Sequence, residues 1–157
     1  METNYQKLER RLEEKSRLGG IMGILHWDQE VIMPSGAAES RARQMGVLAG
    51  TIHEKSTDPK LGKLLDALDK ENSFNAFEEC NIREARREYD METKVPKDLV
   101  MKLAELSSKG HQVWVKARSE NKFSDFAPLL KQLVELKKRW AEYVSPELPS
   151  YDANIDL

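Results

Sequence analysis

Histidine and cysteine are scarce in this chain, and their scarcity removes whole classes of chemistry. The single cysteine, Cys80, cannot form an internal disulfide and has no histidine or second cysteine near it in sequence. A cystine-stapled fold is excluded, a catalytic thiol has no support, and a reducing cytoplasm is the expected compartment. The three histidines are His26, His53 and His111, and the residues three before them are Gly23, Gly50 and Ser108. The Glu-x-x-His pairs of carboxylate-bridged di-iron bundles are therefore absent. Charge of one sign is also lacking. Twenty-five Lys and Arg stand against 27 Asp and Glu, a net charge of −2, so no global field favours nucleic acid or an anionic membrane. The densest basic run, Lys137-Lys138-Arg139, has Glu135 and Glu142 beside it and reads as a solvated helix face. The uncharged run at residues 18–27 is far too short to span a bilayer. Glu2, Lys7, Glu9 and Arg10 occupy the place where a signal peptide needs an apolar core.

What is present is helical periodicity. Hydrophobic residues make up 39% and charged residues 33% of the 157 positions, a balance that suits amphipathic helices with one buried stripe. Tyr5, Leu8, Leu12, Leu18, Met22 and Leu25 mark the first stripe, with a bend or break expected near Gly19 because Gly19, Gly20 and Gly23 weaken the helix. Ser35 or Gly36 is the expected cap of a second helix with the stripe Ala38, Ala42, Met45, Leu48, Ala49 and Ile52. Asp58-Pro59 is a restart signal, an N-cap carboxylate followed by proline in the first turn, for a short helix carrying Leu61, Leu64, Leu65 and Leu68. Phe74, Phe77, Ile82, Ala85 and Tyr89 form the next face, with Glu79/Arg83 and Arg86/Asp90 paired on its wet side. After Pro96, Leu99, Leu103, Leu106, Gly110, Val113/Trp114 and Ala117 repeat, and Gly110 is expected to admit a neighbouring helix closely. Ser124 is the expected cap of a last helix with Leu129, Leu133, Leu136, Trp140 and Tyr143 inside. No alternating pattern competes, so the fold class is all-α, about six or seven amphipathic helices in an antiparallel array. Residues 1–144 form the helical region. Residues 145–157, broken by Pro146 and Pro149, form a tail in which Tyr151, Ile155 and Leu157 show no helix of their own.

The search for chemistry is short. His53-Glu54 opens like the zinc motif HExxH, in which two imidazoles one helical turn apart hold the metal and the glutamate polarises its water. Here the fourth position after His53 is Thr57, and Asp58-Pro59 ends the helix, so His53 reads as a solvated or capping residue. His26-Trp27-Asp28-Gln29-Glu30 is the cluster with the most functional character. His26 and Glu30 share a helix face, and a weak metal or ion-pair site is one reading. The other is that Trp27 is buried while its polar neighbours satisfy one another. A place along the wall of a larger groove is the third. His111 has no carboxylate one turn away and reads as structural or exposed; Tyr89 and the three tryptophans read as core. Gly19-Gly20-Ile21-Met22-Gly23 lacks the Gly-Lys-Ser/Thr of a phosphate loop and reads as a flat face for helix contact. No catalytic residue, metal ligand or cofactor site can be assembled from these side chains.

The run Leu25-His26-Trp27-Asp28-Gln29-Glu30, then Met33-Pro34 and Gly36-Ala37-Ala38-Glu39, resembles the N-terminal signature of the thermostable (Taq-type) metallocarboxypeptidases. The resemblance continues through Leu48-Ala49-Gly50, His53-Glu54, Asp58-Pro59, Leu61-Gly62, residues 83–89, Lys94-Val95-Pro96, Phe126-Ala127-Pro128 and Tyr151-Asp152-Ala153. It implies the N-terminal part of a larger all-helical, cytoplasmic, commonly dimeric peptidase that removes C-terminal amino acids from peptides with zinc or cobalt. The family's metal-binding histidines and general-base glutamate lie beyond the matched part, so none carries onto this sequence. The expectation is therefore a fragment or truncated form, inactive alone, that meets peptide substrates only when joined to a catalytic part. The alternative is a non-catalytic helical module that binds a partner or forms a homodimer.

Overall fold

The computed structural model describes residues 2–155, and every regular element among them is helical. The elements are α1 (Asn4–Val31), a 3-10 turn (Ser35–Ala37), α2 (Ala38–Ser56), α3 (Pro59–Leu68), α4 (Ala76–Glu92), α5 (Lys97–Ser119), α6 (Phe123–Val144) and α7 (Ser150–Ile155). Local chemistry sets several of these starts. Thr3 accepts the Gln6 amide at 3.2 Å while the Gln6 side chain accepts the Thr3 amide at 2.9 Å, a reciprocal capping box. Asn75 and Glu78 repeat the device at the head of α4. Asn121, at φ 53°, ends the α5 turn in the left-handed region that asparagine tolerates.

Asp58 caps α3 as the sequence predicts, accepting the Lys60 amide at 2.9 Å and the Arg11 guanidinium at 2.9 Å. The Lys60 amide first, and Arg11 with it, hold this carboxyl below its ordinary value of 3.8. A depressed folded-state value contributes stability that is present above the unfolded value and is lost as pH falls through the folded one. Asp58→Asn is therefore expected to keep the cap and flatten the acid limb of the stability curve, read as urea midpoints below about pH 5. Asp58→Ala should cost about 1 kcal/mol at neutral pH.

Several details differ from the sequence reading. Helix α1 runs unbroken through Gly19, Gly20 and Gly23, because tertiary contacts on its inner side outweigh about 1 kcal/mol of propensity at each glycine. Helix α2 starts after the 3-10 turn with no side-chain cap, and α6 starts at Phe123, so neither Ser35, Gly36 nor Ser124 serves as predicted. Arg83 turns to Glu84 at 3.0 Å instead of Glu79, and Arg86 reaches Asp66 on α3 and Asp69 just beyond it as well as Asp90. The tail forms α7, whose Ala153 is buried and whose Asn154 donates to the Lys137 carbonyl on α6 at 3.3 Å. Tyr151 and Ile155 are exposed on that helix, and Leu157 lies outside the described residues.

Two apolar clusters flank a central helix pair. The first joins α1, α3 and α4 through Tyr5, Leu8, Leu61, Leu65, Leu68, Ile82 and Ala85. The second joins the start of α5 to α6 through Val95, Leu99, Leu136 and Val144, with Trp140 packed against them. Between them α2 lies along α5 in antiparallel register. Gly46 faces Glu105, Gly50 faces Met101, and Glu54 pairs with Lys97 at 2.6 Å. Gly110 faces Leu129 and Leu133 of α6, the close approach expected from sequence. Phe77, Trp114 and Tyr143, assigned to inner faces by periodicity, are instead exposed.

Candidate functional site

The C-terminal half of α1 carries the cluster singled out from sequence, and the helix divides it by face. At about 100° per residue, Gln29 and Leu25 lie on one side, while Ile24, Trp27 and Val31 lie roughly opposite. Gln29 is buried, and its amide donates to the Ser108 carbonyl on α5 at 3.3 Å while the Ser108 hydroxyl donates back to Gln29 Oε1. Asp28 is half-buried and held by Arg41 of α2, whose guanidinium also donates to the Leu25 carbonyl at 2.6 Å. These contacts fix the rotation of α1.

That rotation sends the other members of the cluster outward. His26 and Glu30 are exposed, and Trp27 is 57% exposed, so the buried role expected for its indole is not the one it has. The register explains this: burying Gln29 and Leu25 turns Trp27 away from the bundle. As a metal site the cluster does not fit. Asp28 points to Arg41, and His26 and Glu30 supply only two donors. Among the described residues, no group of three or more His, Cys, Asp or Glu is placed to hold a metal ion.

His53 is the polar residue sequence reasoning placed least well. It is buried, 5% exposed, and its Nδ1 lies 2.9 Å from Glu92 Oε2 across the α2–α4 contact. Thr57, which stands where a second metal-binding histidine would be, donates its hydroxyl to the His53 carbonyl at 2.8 Å and closes α2. The imidazole is a bridge between helices, neither solvated nor a cap. Glu92, 39 residues on, carries no local signal of this role. His111 is half-buried with its ring 6.2 Å from that of Trp114, and Arg118 sits over the same indole at 5.4 Å. The three histidines thus lie on three helices in three separate settings. Gln29 belongs to the cluster that stands out in the sequence, but Ser108, its buried partner, does not stand out there. The only local hint is a small hydroxyl residue two positions before Gly110, on a helix built for close approach.

A groove of about 510 Å³ between α6 and α7 is lined by Leu130, Leu133, Val134, Lys137, Lys138 and Tyr151 among others. No described helix is long and apolar enough to cross a membrane.

A model of the carboxypeptidase Taq (M32) metallopeptidase family matches residues 7–157. Thermostable carboxypeptidase 1 of Thermus thermophilus is 30% identical over 167 residues, spanning 99% of this chain and 33% of that protein. Carboxypeptidase 1 of Bacillus subtilis is 29% identical over 147 residues, spanning 93% of this chain and 29% of that protein. The crystal structure of BsuCP superposes with a TM-score of 0.91 at 26% identity, covering 96% of this chain and 30% of that one. The Pyrococcus furiosus carboxypeptidase structure gives 0.75 at 26% identity, over 99% of this chain and 31% of that one. The chain spans about a third of the length of these relatives.

Proposed function

Given that the chain belongs to the carboxypeptidase Taq (M32) metallopeptidase family, we propose that it supplies the N-terminal helical part of a metallocarboxypeptidase and does not hydrolyse peptides alone. The whole enzyme, on this reading, removes amino acids one at a time from the C-termini of peptides, with a zinc or cobalt ion held outside this chain. A bound metal of that kind polarises the scissile carbonyl and supplies a hydroxide near neutral pH. This chain's part is structural: it presents the α1 cluster, fixed by Arg41 and Ser108, to the rest of the enzyme.

The observation that carries the reading is the commitment of His53. Its Nδ1 faces Glu92, and Thr57 closes the helix where a second imidazole would be needed. The residues that most resemble a hydrolytic motif are therefore already used in holding α2 to α4. The test is release of C-terminal amino acids from a mixed peptide substrate by the purified chain with added zinc or cobalt. No release above the protein-free rate is expected. Release that a chelator abolishes and that survives His53→Ala would defeat the proposal by revealing a metal site elsewhere in the chain.

A further inference from the structure

Helix α1 is apolar on two opposite sides along its second half, and only one of them is covered. The inner side carries Leu18, Met22 and Leu25 together with buried Gln29. The outer side carries Ile24 at 65%, Trp27 at 57% and Val31 at 59% exposure, flanked by Ile21 at 49%. An exposed apolar face of this kind marks a contact surface. The outer side cannot turn inward, because Arg41 holds Asp28 and the Leu25 carbonyl while Ser108 holds Gln29. Gly20 and Gly23 lie on the same outer side, with nothing within 4 Å of where a Cβ would stand, so the backbone there is open to close approach.

We propose that this outer face of α1 docks the polypeptide that follows the matched third in M32 carboxypeptidases, as part of one chain and not as a second copy. The inference rests on the family reading above. Two observations choose the occupant. In the relatives, a part with this fold belongs to a chain about three times as long, so further polypeptide is there to pack against it. The face is also too small to hold a free partner. Residues 20–31 span roughly 17 Å of a helix about 10 Å wide, on the order of 170 Å². A stable dimer buries about 800 Å² on each partner. A tethered segment needs far less, since its effective concentration is already high.

The test uses Val31→Cys in a Cys80→Ser background and reads the rate of iodoacetamide labelling at residue 31 by mass spectrometry. It is run on this chain alone and on the chain fused in place of the matched third of Bacillus subtilis carboxypeptidase 1. Labelling should be at least tenfold slower in the fusion. Equal rates would overturn the proposal, as would protection in the isolated chain that deepens with protein concentration, which would assign the face to a second copy. A cysteine at the position aligned with Val31 in the intact Bacillus enzyme repeats the measurement without depending on the fusion's folding. In the fusion, Ile24→Glu with Trp27→Glu should lower the rate of amino-acid release at least tenfold, whereas Lys63→Glu, at an exposed position on α3, should not. Metal-dependent release by the isolated chain would defeat the proposed function while leaving the labelling result readable by itself.

Discussion

Leu65→Ala is expected to lower the unfolding free energy by about 3 kcal/mol, read as a fall in the urea midpoint at unchanged slope. Leu65 is fully buried where α1, α3 and α4 meet, with Tyr5, Leu8, Leu61, Leu68, Ile82 and Ala85 in the same cluster. Removing its three terminal carbons forfeits their transfer free energy and leaves a cavity the neighbours only partly close. The loss should be larger than at a comparable site in a long helix. Helix α3 has 10 residues, and helices that short are marginal in water without tertiary support. Leu64→Ala, one position away and half-buried, provides the comparison and should cost less than half as much. A loss under about 1 kcal/mol for Leu65→Ala would show that the cluster does not hold α3.

Gly46→Leu is the second substitution with a large expected effect, about 3 kcal/mol of destabilisation by the same measurement. A Cβ at Gly46 would stand 2.5 Å from Glu105 Cγ and 2.7 Å from its Oε1, and one at Gly50 would stand 2.8 Å from Met101 Cγ. All three near neighbours belong to the Glu105 side chain, and its Cγ is close to the root, so relief requires Glu105 to leave its rotamer or α2 and α5 to part. Leucine's better helix propensity returns only about 0.8 kcal/mol of the loss. Gly19→Ala tests the opposite sign. Nothing stands within 4 Å of its Cβ position, so it should stabilise α1 by about 0.5–1 kcal/mol. A Gly46→Leu variant as stable as the parent would mean that α2 and α5 are not packed glycine to side chain as described.

Much of the fold is legible in the sequence because burial on one helix face leaves a repeat that local reading detects. Leu61, Leu65 and Leu68 recur at helical spacing and all three are buried; Asp58-Pro59 announces α3 and Asp58 caps it. The failures have separate physical causes. Periodicity cannot tell inside from outside on a helix that is apolar on both sides, and Trp27 falls on the outer one. Serine favours caps but does not enforce them, and the 3-10 turn at Ser35–Ala37 takes up the chain reversal that a capped helix start would have required. Six residues are too few to show a period, so α7 is invisible until Ala153 finds its place beneath α6.

The candidate site divides the same way. The stretch from Leu25 to Glu30 stands out by composition, and the structure does give it a distinctive setting. What fixes that setting is distant in sequence: Arg41 for Asp28, and Ser108, 79 positions along, for Gln29. His53 needs Glu92 in the same way. Such pairs leave no trace in spacing, because the chain between them only has to return to the right place.

The register between α2 and α5 also limits how chain length can vary in this protein. Inserting one residue between Gly46 and Gly50 would swing everything beyond it by about 100° and slide it about 1.5 Å, taking Glu54 away from Lys97 and bringing a side chain to the place of Gly50. The connection at residues 69–75, exposed except for Phe74, makes no such demand. Gaps in an alignment with longer relatives therefore belong in that connection, and a gap drawn through α2 marks a misplaced match.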